Sequence, residues 1–588
     1  MRRRRWRPPP DPNRRLRVAL VLMLFLLSLF GGRLVQVQGL DASALAAEAL
    51  RSRTQYQPLF AHRGDIVDST GDPLATTIEL REVRVDQTLV GQYKRRVGEE
   101  LVPVGLKGAA EDLAPLLGVP VPTLVKQLTG TNRGVTLAKG VAPDVAREIL
   151  RLAVPGVATY QASRRDYPNG DVAANVLGFV DADGNARGGL EGAYDRDLAG
   201  TPGKLTYESS EEGLTIPTGV LAEVEPRDGC TVHTTIDRDL QYKAQQLISA
   251  QVKATRARGG YAVVLDTGFN VRSLAVAPTY DPNHYQKARQ DELNDRSLLD
   301  TFEPGSTAKV ITLAGALQEG VVTPASRITV PPVLHRGDTT FHDAELHGTE
   351  HLTLAGVLAK SSNIGTILTG SRISPAKLEG YLRGFGLGTR TGIGLPESAG
   401  ILAPSQDWSG SQRNTVMFGQ GLSVTALQAA DVFATLAADG VRKRPTLVTG
   451  ETCTDGVFRP TEQAPATRVV SSSVARQMRL MMEQVVGNDG TAAKAAIPGY
   501  RVAGKTGTAQ VPGKNGYQPG AYVASFIGMA PADAPRLIVA VVLDQPKRGH
   551  FGGEVAAPVF SQLMAFALAQ AKVPPTGTKT PRMPLLWD

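Results

Sequence analysis

The chain has 588 residues, enough for two or more domains that each bury a hydrophobic core. Its formal net charge of +8 could indicate a nucleic-acid partner, but residues 1–17 hold eight arginines against one aspartate and leave only +1 for the rest. A basic surface for nucleic acid is therefore excluded, and the arginines form a basic tail at the amino terminus instead.

An apolar stretch directly follows this tail. Residues 18–30 are almost wholly apolar, and the positive-inside rule then places the amino terminus in the cytoplasm and the following chain outside. A membrane span needs about 20 apolar residues, so we extend the stretch to 18–37 and let Arg33 snorkel. This predicts an uncleaved signal anchor, and a signal peptide cleaved near residues 42–46 is the alternative.

Residues 38–230 mix short strand-like runs with helical stretches and hold no recognisable catalytic cluster. The first candidate catalytic motif is Ser306-Thr307-Ala308-Lys309, which follows a Pro-Gly break in the chain. Apolar residues at i, i+3, i+4 and i+7 predict a buried helix ending near Gly320. Residues three apart share a helix face, so a desolvated Lys309 can take the proton of Ser306. A capping serine with a solvent-exposed lysine is the commoner origin of one such motif alone.

The second motif is Ser361-Ser362-Asn363, which follows an apolar stretch at residues 352–359. That stretch predicts a buried helix, so we expect Ser361 and Asn363 on the turn at its end. Ser361 can relay a proton between lysines and a leaving amine, and Asn363 offers its amide to a substrate peptide bond. A polar turn that merely ends the helix is the alternative.

The third motif, Lys505-Thr506-Gly507-Thr508, lies in a predicted strand whose glycines indicate close approach of another backbone. Alternation puts the hydroxyls of Thr506 and Thr508 on one face, where they and the cationic Lys505 suit a carboxylate. Lys505 is out of phase and must reach around the strand edge. Gly507 is expected to leave room there for an extended peptide. An ordinary glycine-containing strand is the alternative.

Each motif alone is weak, because Ser374-Pro375-Ala376-Lys377 repeats the first spacing and Arg390-Thr391-Gly392 nearly repeats the third. The order of the three motifs separates them from these decoys, since Ser374 comes after the second motif. Together the three motifs predict one acyl-transfer active site.

The remaining patterns predict the strands and the closing helix of the domain that carries the motifs, and the nature of the carboxy-terminal end. Residues 261–265 and 537–543 are β-branched runs of core-strand length, and residues 556–571 predict a closing helix. Strands from both ends of the domain would then share one sheet, which indicates an α+β fold. The Pro-rich end, residues 573–588, predicts a solvated tail.

Histidines and cysteines offer no metal site by spacing. Four histidines fall in the polar connection between the first two motifs, where we predict a solvated loop: His335, His342, His347 and His351. Cys230 and Cys453 could pair in an oxidising compartment, but they lie far apart in sequence, and we predict that they are unpaired.

With their contexts, the three motifs resemble those of the penicillin-binding proteins, and among them the class B, cell-division type. The resemblance covers most of the chain. It includes Phe302-Glu303-Pro304-Gly305, Lys360-Ser361-Ser362-Asn363-Ile364-Gly365, Phe385-Gly386-Leu387-Gly388, Gly419-Gln420-Gly421-Leu422 and Ala503-Gly504. Upstream, Arg63-Gly64-Asp65-Ile66-Val67-Asp68 and Gly189-Leu190-Glu191 resemble signatures that brace the family's non-catalytic pedestal domain.

The resemblance implies an amino-terminal transmembrane helix, an elongated mixed α/β pedestal of the dimerisation type, and a transpeptidase domain with an antiparallel sheet flanked by helices and a helical subdomain. The domain boundaries expected from it are a cytoplasmic tail at 1–17, an anchor at 18–37, the pedestal at 38–230, the transpeptidase domain at 231–572 and the tail at 573–588.

The family's reaction is the attack of a serine on the terminal D-Ala-D-Ala bond of a stem peptide, followed by transfer of the acyl group to an amine. By motif, the implied catalytic residues are the nucleophile Ser306, the base Lys309, Ser361, Asn363 and Lys505. The implied substrate-binding residues are Thr506, Gly507 and Thr508, and the backbone N–H groups of Ser306 and Thr508 would form the oxyanion hole. The family needs no metal or organic cofactor.

The implied partners are peptidoglycan stem peptides and their lipid-linked precursor, β-lactams as covalent inhibitors, a membrane-embedded glycosyltransferase with other division proteins, and the bacterial cell membrane. Septal cross-linking is the preferred function. An elongation-type transpeptidase, a D,D-carboxypeptidase and a β-lactamase share the motifs. Intact Ser306, Lys309 and Lys505 argue against a non-catalytic β-lactam sensor or divisome scaffold.

Overall fold

The computed structural model describes residues 12–209, 216, 219, 221–513 and 516–587. Two compact units make up the chain. One comprises Met1–Ala61 with Thr201–Arg227, and the other comprises His62–Gly200 with Asp228–Asp588. The predicted basic tail at 1–17 lies largely outside the described residues.

The first unit begins with an exposed apolar helix, Pro12–Val35, which continues through a wider helical turn at Gln36–Leu40. An 18-residue window of this helix has a mean hydropathy of 2.4, and the 28 residues of Asn13–Leu40 exceed the length needed to cross a membrane. The helix Ala42–Arg53 follows. A three-stranded antiparallel sheet completes the unit, with Gly203–Glu208 between Thr54–Leu59 and Leu221–Val224.

The second unit contains a seven-stranded mixed sheet that joins upstream and downstream parts of the sequence. Its strands run in the order Phe458–Pro460, Val448–Thr452, Thr231–Thr234, Ile66–Val67, Pro73–Asp86 and Arg133–Val141, and Val157–Asp166 also pairs with Pro73–Asp86. One small core in this region is built around Leu113, Leu124 and Ile149. These residues come from the helices Gly105–Leu117, Val121–Leu128 and Pro143–Arg151.

A buried ion cluster ties together the two upstream signatures. Glu191 has no exposed surface, and its carboxylate lies 2.6 Å from both the Nη2 of Arg63 and the Nε of Arg165. A carboxylate buried this completely requires such partners. The two signatures therefore meet in a bracing contact.

This part of the chain also has short helices and hairpins. The helices are Ala174–Leu177, Gly189–Ala193 and Asp195–Leu198, and the hairpins are Lys94–Val97 with Glu100–Pro103 and Phe179–Val180 with Ala186–Arg187.

The prediction that the cysteines are unpaired is wrong. Cys230 and Cys453 form a disulfide across 223 residues of sequence. Thr231–Thr234 pairs antiparallel with Val448–Thr452, and the register puts Thr231 opposite Thr452, so the flanking cysteines are brought side by side. Sequence separation says nothing about cross-strand neighbours, which only the register reveals.

The downstream part is built on a five-stranded antiparallel sheet. Its strands run in the order Val271–Ala277, Gly259–Asp266, Leu537–Asp544, Gly516–Ala530 and Ala503–Gly513. Gly259–Asp266 pairs directly with Leu537–Asp544, which confirms that strands from both ends of the domain share one sheet. Ala503–Gly513 is the last strand, and we call it the edge strand.

Helices pack on this sheet and build a second, helical region between the motifs. Arg238–Thr255 packs with the predicted closing helix, observed at Ala557–Gln570, and Ala426–Ala437 packs with Ser472–Val486. The other helices are Arg296–Leu299, Lys309–Gln318, Leu354–Ala359, Asn363–Gly370, Pro375–Gly384, Gln412–Thr415 and Gly552–Val555. Short strand pairs are Arg327–Val330 with Glu350–Thr353, Leu334–Arg336 with Thr339–Phe341, and Val441–Arg442 with Thr467–Arg468.

The carboxy-terminal end is only in part the solvated tail that its proline content predicts: most of residues 574–582 are exposed, but the last residues pair with the rest of the domain. Leu586 pairs with Leu352, and the N–H of Trp587 donates to the carbonyl of His351 at 3.0 Å. Thr353 donates its N–H to the carbonyl of Leu585 at 3.0 Å and its hydroxyl to that of Pro584 at 2.6 Å. Residues 584–587 thus lie against the strand Glu350–Thr353. Proline lacks an N–H donor but keeps its carbonyl acceptor, so a proline-rich segment can still pair in this way.

Candidate active site

The first motif sits on a tight turn that begins a buried helix. A 3-10 turn at Gly305–Ala308 leads into Lys309–Gln318, close to the predicted end near Gly320. Gly305 has a φ of 53°, and its N–H donates to the carbonyl of Gly419 at 3.0 Å. A Cβ on Gly419 would lie 2.1 Å from the oxygen of Gly305, so only glycine allows this approach. The half-buried Ser306 is thereby held at the helix start.

Lys309 is completely buried one helical turn after Ser306. Its Nζ donates to the carbonyl oxygen of Ser361 and lies 3.3 Å from the Oγ of the same residue. Burial lowers the pKa of Lys309 to about 7, and the negative charge of Asp343 opposes that fall. A lysine with such a pKa can lose its proton near neutral pH, which is what a general base requires.

Lys505, also completely buried, approaches the same serine from the edge strand. Its Nζ lies 2.9 Å from the Oγ of Ser361 and 3.1 Å from the Oγ1 of Thr506. Burial, and then the charge of Lys309, holds the pKa of Lys505 well below its usual range. The Ser361 hydroxyl therefore bridges two lysines that disfavour each other's protonation.

Ser361 occupies a strained turn between two helices. Its φ of 62° lies in the left-handed region, which serine seldom adopts. The preceding helix, Leu354–Ala359, is capped by the hydroxyl of Thr353, and the next, Asn363–Gly370, is capped by the hydroxyl of Ser362. Asn363 is thus the first residue of a new helix rather than part of a terminal turn.

The segment before Leu354–Ala359 holds the start of the Asn363 helix. Asp343 accepts the N–H groups of Asn363 at 2.5 Å and of Ile364 at 2.9 Å, and the Asn363 side chain donates to the carbonyl of His342 at 3.0 Å. Asp343 was missed by sequence reasoning, because nothing in its spacing distinguishes it from the polar residues around it.

The edge strand places the third motif against the Ser306 turn. A Cβ on Gly507 would lie 2.4 Å from the Oγ of Ser525 and 3.0 Å from the carbonyl oxygen of Pro304. The missing side chain therefore leaves room for the protein's own turn, which confirms the predicted close approach of another backbone. Room for an extended peptide along the strand edge stays a prediction. Thr506 and Thr508 lie on the opposite face of the edge strand from Gly507. The Thr506 hydroxyl lies 2.9 Å from that of Thr491, and the Thr508 hydroxyl accepts the N–H of Gly552 at 3.2 Å.

A second carboxylate at this site also escaped the sequence reasoning. Glu303 accepts the N–H of Gly421 at 2.8 Å and the hydroxyl of Tyr517 at 2.9 Å. Burial raises the pKa of Glu303. This residue lies in the signature before Ser306, so its position could have marked it, but its partner 214 residues away could not be inferred.

Both decoy motifs have structural roles. The hydroxyl of Ser374 caps the helix Pro375–Gly384 by accepting the N–H of Lys377, whose ammonium pairs with Glu319. Glu397 accepts the N–H and hydroxyl of Thr391. Neither residue contacts the two buried lysines in the hydrogen bonds that the described residues make.

Comparison with known proteins agrees with this geometry. The penicillin-binding protein transpeptidase domain model matches residues 260–565, and the penicillin-binding protein dimerisation domain model matches residues 58–234. The chain is 36% identical to the penicillin-binding protein PbpB of Mycolicibacterium smegmatis, covering 95% of this chain and 91% of that protein. It is 33% identical to the peptidoglycan D,D-transpeptidase FtsI of Escherichia coli K12, covering 95% and 92%.

Solved structures give the same result. Penicillin-binding protein 3 of Mycobacterium tuberculosis in complex with aztreonam is similar over 90% of this chain and 100% of that one, with 31% identity and a TM-score of 0.71. A peptidoglycan synthetase from Bifidobacterium adolescentis covers 91% and 100%, with 33% identity and a TM-score of 0.74. With both domain models matched and relatives aligned over nearly its whole length, the chain belongs to the class B penicillin-binding proteins.

Proposed function

We propose that this chain is a peptidoglycan D,D-transpeptidase that cross-links stem peptides during septal wall synthesis through an acyl-enzyme on Ser306. The observation that carries the proposal is the bridge of Ser361 between Lys309 and Lys505, directly beside the Ser306 turn. Two desolvated lysines and a shared hydroxyl form a proton relay, and acyl transfer at a serine needs such a relay in both of its steps.

In the first step, the Oγ of Ser306 attacks the carbonyl carbon of the terminal D-Ala-D-Ala bond while neutral Lys309 takes the proton of Ser306. The backbone N–H groups of Ser306 and Thr508 stabilise the oxyanion, consistent with a nucleophile at a helix start facing an edge strand. The C–N bond breaks, and the proton reaches the leaving D-alanine amine through Ser361.

In the second step, an acceptor amine attacks the acyl-enzyme, and the relay runs in reverse. The amine loses a proton, the new peptide C–N bond forms, the ester C–O bond to Ser306 breaks, and the Ser306 oxygen takes up the proton. Asn363 supports the substrate peptide bond. Lys505, Thr506 and Thr508 bind the terminal carboxylate, and the Nζ of the buried Lys505 lies 3.1 Å from the Thr506 hydroxyl. Gly507 acts by letting the edge strand approach the nucleophile turn.

The apolar helix and the relatives support a setting at the cell membrane. The apolar helix within residues 18–37 anchors the chain in the bacterial cell membrane, with the amino terminus cytoplasmic and the catalytic domain outside. Residues 38–230 form the pedestal and residues 231–572 the transpeptidase domain. A similar relative is named peptidoglycan D,D-transpeptidase FtsI, which supports this substrate class and a division role. Partners would be a membrane-embedded glycosyltransferase and other division proteins.

Paired serine variants test the nucleophile. A labelled penicillin should acylate the wild type and Ser374→Ala, which loses only a helix cap worth about 1 kcal/mol. It should not acylate Ser306→Ala. Labelling of Ser306→Ala, or loss of labelling in a folded Ser374→Ala, would contradict the assignment.

The fate of the acyl group separates the related enzymes. With a stem-peptide donor and an amine acceptor, a transpeptidase forms the cross-linked product. Release of D-alanine with hydrolysis alone would indicate a carboxypeptidase, and rapid turnover of the penicillin would indicate a β-lactamase.

A further inference from the structure

The strongest unassigned feature is the carboxylate of Asp343, which follows the hairpin Leu334–Arg336 with Thr339–Phe341. Its side chain is 9% exposed. Oδ1 accepts the N–H groups of Asn363 at 2.5 Å and Ile364 at 2.9 Å. Oδ2 accepts the hydroxyl of Ser362 at 2.6 Å and faces the Nε2 of His347 at 3.1 Å. Four partners fill the acceptor capacity of a carboxylate.

These contacts fix the residues on either side of the relay serine. Ser362 and Asn363 directly follow Ser361, whose strained backbone presents its carbonyl to Lys309. The first N–H groups of a helix have no internal partners and favour a negative charge, so the carboxylate is well placed there. The hydrogen bonds to Asp343 therefore hold the turn in place and keep the Ser361 hydroxyl between the two lysines.

The charge of Asp343 also acts on the base. The ionisable groups around Lys309 are Lys505 on the edge strand and Asp343 on the connection, and His347 faces Asp343 from the same connection. The Nδ1 of His347 faces the carbonyl of Gly348 at 2.5 Å. The carboxylate favours the protonated form of Lys309 and so raises its pKa against burial.

We propose that Asp343 is a positioning residue for acyl transfer: its carboxylate holds the Ser361 turn under the two lysines, and its charge sets the pH range in which Lys309 acts as base. This inference rests on the proposed function, because it concerns the same reaction.

Three full-length variants in detergent separate charge from shape. Asp343→Asn keeps the shape and one acceptor oxygen but removes the charge. Asp343→Glu keeps the charge but moves the carboxylate by one methylene. His347→Gln removes the imidazole ring while keeping a side-chain donor. For each variant, the second-order rate of acylation by a labelled penicillin is measured against pH, and a thermal melt confirms folding.

Acylation requires neutral Lys309, so its rate rises with pH. Removing the carboxylate lowers the pKa of Lys309. In the pH–rate profile of Asp343→Asn, we therefore expect the rising part, called the limb here, to move to lower pH. The limb of Asp343→Glu should stay at the wild-type pH while the rate falls about 10- to 100-fold, the scale of a misplaced catalytic group. The limb of His347→Gln should remain present, because Lys309 and not the imidazole is its source.

A limb in Asp343→Asn that stays at the wild-type pH would overturn the inference, whatever its rate, because a merely structural role lowers the rate without moving the limb. Disappearance of the limb in His347→Gln would overturn it too. Failure of the wild type to acylate would instead refute the proposed function, so the two failures are distinguishable.

Discussion

The hydroxyl of Ser361 lies 2.9 Å from the Nζ of Lys505 and 3.3 Å from that of Lys309, in a pocket where both lysines are fully buried. Two ammonium charges so close to one another in a dry site repel strongly, so the pair favours holding a single proton. The proton can then move through Ser361 as the reaction proceeds. The pair titrates as a unit, and its pH dependence belongs to both residues.

The rate of acylation should therefore depend on pH near neutrality. We expect the second-order rate constant for penicillin to rise with pH through about 7, because the reactive form of Lys309 is neutral and burial has lowered its pKa to that range. Stopped-flow or quenched labelling between about pH 5 and 9 would measure it. A rate that stays flat through neutrality would show that the base is not a lysine with a lowered pKa.

Gly507 should not tolerate even one methyl group. A Cβ there would lie 2.4 Å from the Oγ of Ser525 and 3.0 Å from both the Pro304 carbonyl and a methyl of Thr307. Gly507→Ala should push the edge strand from the Ser306 turn and lower the acylation rate about 10- to 100-fold. Gly380→Ala is the matched control, because a Cβ on Gly380 would meet no other atom within 4 Å. Equal rates in both variants would contradict the packing argument.

At this scale the sequence predicts the residues that carry the motifs but not those that support them. Ser306, Lys309, Ser361 and Lys505 follow from short spacings, because each motif is a run of three or four consecutive residues. Asp343 and Glu303 act through partners distant in sequence, and such contacts leave no local pattern. The close approach predicted at Gly507 is confirmed, but the neighbour that needs the space lies on another element and could not be named from the sequence.

At the scale of elements, the carboxy-terminal segment holds the helix that leads into Ser361. Thr353, the cap of Leu354–Ala359, donates to the carbonyls of Pro584 and Leu585. A Cβ on Gly356 in that helix would lie 2.0 Å from the carbonyl oxygen of Leu585. The last residues of the chain therefore help to position the relay turn.

Deleting residues 583–588 should lower both the melting temperature and the acylation rate. Each backbone hydrogen bond lost is worth about 1 kcal/mol, and Leu352 loses the bridge that it forms with Leu586. Calorimetry and penicillin labelling would measure the two effects. A truncated chain with wild-type stability and rate would show that the segment is dispensable.

Gly356→Ala provides a second test of the same contact. In the full chain the added methyl collides with Leu585, so the variant should be destabilised, whereas in the truncated chain the obstacle is gone and the cost should shrink. The two changes should thus be strongly non-additive, as expected for residues in contact. Additive losses would contradict the contact.

Elements with a strong period were predictable, and those fixed by distant pairing were not. The helix after Lys309 and the closing helix follow from their apolar patterns, and the strands Gly259–Asp266 and Leu537–Asp544 follow from β-branched runs, because both kinds of pattern report burial directly. The carboxy-terminal strand has no such period, because proline-rich composition reflects local stiffness rather than what the backbone meets. The Cys230–Cys453 disulfide likewise depends on the register of two strands.

At the scale of the whole molecule, the apolar helix and the site belong to different compact units. Each unit contains its own sheet, and the site residues all lie in the larger unit. Catalysis should therefore not need the anchor.

Deleting residues 1–37 should yield a protein that stays in the supernatant after ultracentrifugation without detergent and still reacts with penicillin at the wild-type rate. Fractionation followed by labelling would measure this, with Ser306→Ala in the same background as the control for specific labelling. A folded, soluble protein that fails to acylate would show that the site depends on the membrane segment.

Intact-mass spectrometry of the purified protein with and without a penicillin, followed by peptide mapping, tests the central claim most directly. The account predicts one stable adduct per chain, carried by the peptide that contains Ser306, because a transpeptidase deacylates slowly when water replaces its acceptor amine. An adduct on another residue, or no adduct on the folded protein, would contradict the assignment of Ser306 as the nucleophile.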